Sequence, residues 1–195
     1  MFRIIILYTL IISGVCTQSK VWYDKFIKYI DQPDGVSVSV IIHEKQFEFS
    51  NIDRGAIEIK SNNEYILDLP NETVYVKGDI IKTWNKIENQ LIIDRKVKGN
   101  ITIFDLFDKD FKGLKLGKSI IQNDLIILDF DIPNMGYGGR LSMLRTGEPK
   151  EIKIAYGPDQ SVSLEINKFT IGGLNLYNNF NPVNPEVIDL REKVD

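Results

Sequence analysis

From Val36 onward the hydrophobic residues recur at every second position. Val36, Val38, Val40 and Ile42 share one parity, and they are followed by Phe47 and Phe49, Ile57 and Ile59, Tyr65, Leu67 and Leu69, and Val74 and Val76. A period of two places alternate side chains on opposite faces of an extended chain, so these groups predict five successive strands, each with one apolar face. Ser61-Asn62-Asn63, Leu69-Pro70-Asn71 and Lys77-Gly78-Asp79 supply turn residues between them. Links this short make neighbouring strands antiparallel.

The segment 80–95, IIKTWNKIENQLIIDR, continues as two strands around an Ile87-Glu88-Asn89 turn. ITIFDLFDKDF, from 101 to 111, has Ile103, Phe104 and Phe107 at helical spacing and predicts a short helix. DLIILDFDI, RLSMLRT, EIKIAYG, SVSLEIN and FTI follow as further strands, separated by Pro133–Gly139, Gly147-Glu148-Pro149 and Gly157-Pro158-Asp159. Ahead of all these strands, Trp22, Phe26, Tyr29 and Ile30 recur at helical spacing, with Asp24, Lys25 and Lys28 on the other face. Residues 19–31 therefore predict one amphipathic helix, stopped by Pro33-Asp34-Gly35. Ten or more antiparallel strands in one chain curl or close to remove exposed edges. The expected fold is mainly β: an open, incomplete antiparallel β-barrel, with the N-terminal helix and the short helical insertion as its lid.

The N-terminus, MFRIIILYTLIISGVCTQS, has one basic residue, an apolar run from Ile4 to Ile12, and small residues around Gly14 to Ser19. This three-part layout is that of a secretory signal, and its apolar run falls short of the roughly 20 residues that span a bilayer. Residues 1–17 are expected to be a cleaved signal peptide and 18–195 one domain of the mature chain, which then holds no cysteine. A lipidated Cys16 is the alternative, but Ser13-Gly14-Val15-Cys16 is a poor lipobox, with Ser where an aliphatic is usual and Val where a small residue is usual. Two N-x-Thr sequons, at Asn71 and Asn100, matter only in a eukaryotic secretory route.

The inventory of reactive side chains is narrow. With one His and one Cys in 195 residues, Cys/His metal cages and disulfide frameworks are excluded. His43 lies in the alternating run VSVSVIIHEK, and no nucleophile-elbow motif accompanies it, so it reads as an ordinary strand residue. Gly136-Tyr137-Gly138-Gly139-Arg140 lacks the Lys-Ser/Thr pair and following helix of a phosphate loop and reads as a turn between strands. A formal charge of -3 and a pI near 5.3 argue against nucleic acid as a partner. The chain is expected to be no enzyme and to use no metal or cofactor, although carboxylate-only catalysis on this scaffold stays open as an alternative.

The order of these elements resembles the LolA-type outer-membrane lipoprotein carrier proteins. The likeness rests on Gly55-Ala56-Ile57-Glu58-Ile59-Lys60, then Tyr65, Val74-Tyr75-Val76-Lys77-Gly78-Asp79, Trp84 and Gln90, and on a closing Phe180-Asn181-Pro182-Val183-Asn184-Pro185-Glu186-Val187-Ile188-Asp189. It spans about residues 18 to 190. The resemblance implies a half-open barrel capped by helices over an apolar cavity for acyl chains, in a periplasmic chaperone working as a monomer. Its partners would be acylated lipoproteins, an inner-membrane lipoprotein-releasing ABC transporter and an outer-membrane acceptor. Where the family usually places an Arg-Pro pair that helps hold the lid, this chain reads Ser61-Asn62. On this reading Ile57, Ile59, Tyr65, Leu67, Leu69, Val74 and Val76 line the cavity together with Trp84 and Phe107, while Glu58, Lys60, Glu64, Asp68 and Lys77 point outward. The alternatives are a membrane-anchored lipoprotein acceptor lipidated at Cys16, or an unrelated lipid-binding or enzymatic protein on the same scaffold.

A carrier has a physical rationale. An acyl chain of about 15 methylenes loses about 12 kcal/mol on entering water, at roughly 0.8 kcal/mol per methylene. Any protein that moves such a chain through an aqueous space must offer an apolar surface of its own.

Overall fold

The structure, a computed structural model, describes residues 18–61, 64–96, 103–107 and 113–191. The signal segment 1–17 with Cys16, Asn62 of the Ser61-Asn62 pair, Asn100 and the flanks of the predicted insertion helix lie outside the described residues.

Helix α1 (18–30) opens the described chain. Twelve strands then form one sheet: β1 (Val36–Gln46), β2 (Phe49–Ser61), β3 (Glu64–Asp68), β4 (Glu72–Lys77), β5 (Ile80–Asn85), β6 (Gln90–Arg95), β7 (Lys115–Gln122), β8 (Leu125–Ile132), β9 (Tyr137–Leu144), β10 (Pro149–Gly157), β11 (Gln160–Ile171) and β12 (Glu186–Asp189). A 3-10 helix (Ile103–Phe107) precedes β7, and a one-turn α2 (Leu176–Asn179) precedes β12. The strand order is β12-β6-β5-β4-β3-β2-β1-β11-β10-β9-β8-β7, so the sheet is open and ends at β12 and β7.

Two antiparallel meanders, β1 to β6 and β7 to β11, are joined at the centre where β1 pairs with β11, Val36 opposite Ile171 and Ile42 opposite Leu164. The curl is expressed in the core, because one face of the sheet is almost wholly buried. Val36, Val38, Ile57, Ile59, Tyr65, Leu67 and Val76 from the first meander join Ile126, Leu128, Phe130, Leu141, Ile152 and Leu164 from the second in one cluster. This is the concave face.

Several local expectations are corrected. Phe47 and Phe49 do not form a strand of their own. Phe47 turns the β1–β2 hairpin in the left-handed region at φ 56, and Phe49 starts β2, so four strands stand where five were expected. FTI is the end of β11 rather than a separate strand. The turn read at Gly136–Arg140 is confined to its start, since β9 already runs from Tyr137. Gly139 lies within that strand because the Phe130 ring of β8 occupies the space where its Cβ would stand. The sheet is also not wholly antiparallel, for β12 adds to β6 in parallel, Glu186 opposite Gln90.

That last strand needs a crossover, and the chain makes it over the convex face. Gly172 and Gly173, at φ 70 and 72, turn the chain off β11 into a backbone region that side chains disfavour. Residues 174–180 then cross the back of β2 to β4, where Tyr75 stacks on Phe180 at 5.5 Å and meets Tyr177 edge-on at 5.9 Å.

Candidate functional site

The concave wall is built by register. Ile57 faces Val38 on one side and Leu67 on the other, and Ile59 faces Val36 and Tyr65 in the same way. Leu67 continues to Val74, and Tyr65 to Val76. These pairs share a face because every second residue of each strand does. Ile57, Ile59, Tyr65, Leu67 and Val76 are buried, while Leu69 and Val74 are partly buried and pack against the same cluster. Phe107 reaches that cluster from the opposite side, out of the 3-10 helix.

Trp84 does not join them. It pairs with Thr73, which neighbours Val74 in sequence, so it occupies the opposite parity and the convex face. There its indole Nε1 donates to Asn89 Oδ1 at 3.2 Å. The ambiguity arose after Gly78, since the run Ile80-Ile81 gives no unique parity and only the Val74–Thr83 pairing resolves it.

The outward residues keep the expected face, but Glu58 is not solvated. It is 2% exposed, and its carboxylate accepts the backbone N–H groups of Asn175 at 2.7 Å, Leu176 at 2.9 Å and Tyr177 at 3.4 Å. A buried carboxylate is tolerable when its oxygens are satisfied in this way. Glu58 is thus the peg that holds the crossover against the convex face. The Tyr177 hydroxyl adds bonds to the carbonyls of Glu58 at 3.2 Å and Glu64 at 2.8 Å. Sequence alternation alone marks Glu58 as exposed, because the covering segment lies more than a hundred residues away.

Two short segments cover the concave wall. Phe26 and Ile30 of α1 are fully buried against it, with Trp22, Tyr23 and Ile27 packed alongside, and the 3-10 helix adds Leu106 and Phe107. The rings form a chain: Tyr23 to Phe26 and Phe26 to Phe107 are each 5.9 Å between centroids, and Tyr29 lies 4.9 Å from Phe169 of β11. Between Tyr23 and Phe26, Leu106, and the wall residues Leu128, Phe130 and Ile152, a void of about 10 Å³ remains. That is at the lower limit for one water molecule. At this place the concave face is filled by the protein's own aromatic and aliphatic side chains.

Polar contacts fasten this cover as well. Ser19 Oγ donates to the Gly117 carbonyl at 2.8 Å, the Tyr29 hydroxyl donates to Glu148 at 3.2 Å, and Lys25 Nζ reaches the Arg145 carbonyl at 3.4 Å. Burial and the neighbouring Glu148 carboxylate hold the Tyr29 pKa above its ordinary value. The 3-10 helix is tied to the end of β6 by an ion pair of Lys96 with Asp105. Trp22 Nε1 is buried with no hydrogen-bond partner among the described residues.

Among the described residues, no cluster of His, Cys, Asp and Glu is arranged to hold a metal ion, and no helix is long and apolar enough to cross a membrane. His43 stands in β1 with Nε2 3.6 Å from the Glu165 carboxylate.

No family model matches the sequence, and no curated protein matches it either. Solved structures do. An uncharacterised conserved protein from Thermus thermophilus superposes with a TM-score of 0.57 at 10% identity, covering 88% of this chain and 99% of that one. Two further likenesses have lower scores. A LolA superfamily protein from Nitrosomonas europaea aligns at TM-score 0.46 and 12% identity over 82% of this chain and 96% of its own. A putative outer membrane lipoprotein-sorting protein domain from Vibrio parahaemolyticus aligns at 0.45 and 11% over 82% and 94%. At 10% identity the first of these likenesses is one of fold alone.

Proposed function

We propose that this protein is a carrier for acyl chains, which binds the lipid moiety of lipoproteins on the concave face of its sheet. The reading is carried by one observation. Among the described residues, the apolar wall is covered by side chains of two short segments, α1 and the 3-10 helix, rather than by a second sheet. An acyl chain that displaces Trp22, Phe26 and Phe107 exchanges one apolar neighbour for another. Loading is then close to balanced, which a carrier needs in order to release its cargo. The unpartnered Trp22 Nε1 lowers the cost of moving α1, since a buried unsatisfied donor costs about 1–3 kcal/mol.

In its fuller form, the proposal is a periplasmic shuttle, secreted by a cleaved signal peptide, that takes lipoproteins from an inner-membrane releasing transporter to an outer-membrane acceptor. The sequence resemblance to LolA-type carriers and the signal-like N-terminus support that form.

The two tryptophans provide the test, because Trp22 belongs to the cover and Trp84 to the convex face. Delipidated protein is titrated with a brominated acyl-cysteine peptide, whose heavy atoms quench only nearby indoles. The Trp84→Phe variant, reporting from Trp22, should lose fluorescence saturably, and the Trp22→Phe variant, reporting from Trp84, should not. Absence of quenching from Trp22 removes the carrier reading.

A further inference from the structure

The rim of the half-barrel has a step. β2 is flanked by β1 from Phe49, opposite Gln46, to Ile59, opposite Val36, but β3 begins its register only at Ala56, opposite Asp68. Phe49–Arg54 thus has, among the described residues, no strand on its outer side. This is about 20 Å of open edge, at about 3.3 Å per residue. An edge in the middle of a sheet's strand order differs from its two ends, because the wall drops there from the height of β2 to that of the β3–β4 turn.

The step exposes two large apolar side chains among polar ones, for Ser50, Asn51, Asp53 and Arg54 share this edge with Phe49 and Ile52. Phe49 is 82% exposed and Ile52 60%, on opposite faces of the strand, and Phe47 at the hairpin tip is 65% exposed. Edge strands usually carry charge to discourage pairing, and here the charge is confined to Asp53 and Arg54 at the inner end of the step, leaving the outer end to Phe49 and Ile52. The tip is not loose: the Phe47 N–H donates to the Asp159 carbonyl at 2.8 Å, and β1 pairs with β11 through Gln46 opposite Gln160. The β2 edge is therefore a rigid template with one free side.

We propose that this edge receives the extended polypeptide of the cargo, which adds to β2 as a further strand while its acyl chains lie on the concave face. The inference rests on the carrier reading above. Two features select this occupant. The step opens beside Leu69, which packs against the core cluster and whose side chain lies against Gly55 at the foot of the step, so a peptide attached to an acyl group there leaves the half-barrel at this point. The unpaired N–H and C=O groups of the edge are completed only by another extended backbone, whereas a lipid surface would leave them unsatisfied. Phe49 and Ile52 then grip the added strand from its two faces.

The test compares one acyl-cysteine headgroup on a dipeptide with the same headgroup on an extended peptide of roughly ten residues, long enough to cover the edge. The longer probe should bind wild type about tenfold more tightly, the sum of a few strand hydrogen bonds and cross-strand contacts. It should also slow hydrogen exchange at amides within Phe49–Arg54. The Phe49→Ser/Ile52→Ser variant, altered only at exposed side chains, should bind the dipeptide probe as wild type does and lose the length advantage. Equal binding of both probes to wild type with no protection of Phe49–Arg54 overturns the inference while leaving the carrier reading intact. Failure of both probes to bind removes both. Dimerisation on sedimentation, with that edge protected in the unliganded protein, assigns it to a second copy and also overturns the inference.

Discussion

Phe26 of α1 and Phe107 of the 3-10 helix lie 5.9 Å apart, ring centroid to centroid, and through this contact the two covering segments touch each other above the sheet. Both rings are buried in the main cluster, so the cover is part of the core rather than an ornament upon it. Any ligand on the concave face competes with the protein's own packing.

Phe26→Ala should therefore be strongly destabilising. Phe26 is 1% exposed, and truncating a buried phenylalanine typically costs about 3–5 kcal/mol. Urea denaturation should show the loss. In acyl-probe titrations of the folded fraction the variant should bind more tightly, because a competitor has been removed; unchanged or weaker binding argues that α1 is not displaced by ligand.

Glu58→Ala should release the crossover. It strips an acceptor from the N–H groups of Asn175, Leu176 and Tyr177, and hydrogen bonds to a charged group contribute about 1.5–3 kcal/mol. Limited proteolysis should then cut between Gly172 and Phe180 well before global unfolding. A protease pattern identical to wild type would contradict the role given to Glu58.

Gly139→Ala drives a methyl group into the Phe130 ring and places it 2.6 Å from the Lys153 carbonyl. Overpacking of this kind costs about 1–3 kcal/mol. Pairing it with Phe130→Leu should recover part of the loss, and a double-mutant cycle by thermal denaturation measures the coupling.

Alkaline pH should destabilise the fold through Tyr177. Burial, the largest cause, holds its phenol well above the ordinary value of 10.0. A folded pKa above the unfolded one leaves stability intact below about pH 10 and erodes it as pH rises toward the folded value. Tyr29, Tyr75 and Tyr156 are raised by burial too. Tyr177→Phe should accordingly be less stable at neutral pH yet lose less on going to alkaline pH, as followed by circular dichroism.

The alternating runs made most of the sheet legible from sequence, since a strand with one face in the core must repeat every second residue. Ile57, Ile59, Tyr65 and Leu67 carry that signal without ambiguity. It failed where local pattern and tertiary partner part company. β7 is an end strand, with Ile120 and Ile121 exposed, and so shows little alternation. β12 is four residues long and takes its identity from β6. Glu58 looks solvated until the crossover is laid over it, and Trp84 follows a run with no readable parity. The cover was legible in α1 by its helical spacing, but how closely Phe26 and Leu106 pack on the wall depends on side-chain volumes in three dimensions, which no spacing records.

The pairing of β1 with β11 also sets the order in which this molecule comes into being. Val36 waits for Ile171, near the other end of the chain, before the centre of the sheet exists. A chain emerging from its N-terminus can close the first meander and then the second, each from local hairpins, yet the two halves stay unjoined until β11 has appeared. Topologies dominated by such distant pairings fold slowly. The polypeptide is thus kept from early completion by its own connectivity, each half-sheet holding a strand that waits for the other.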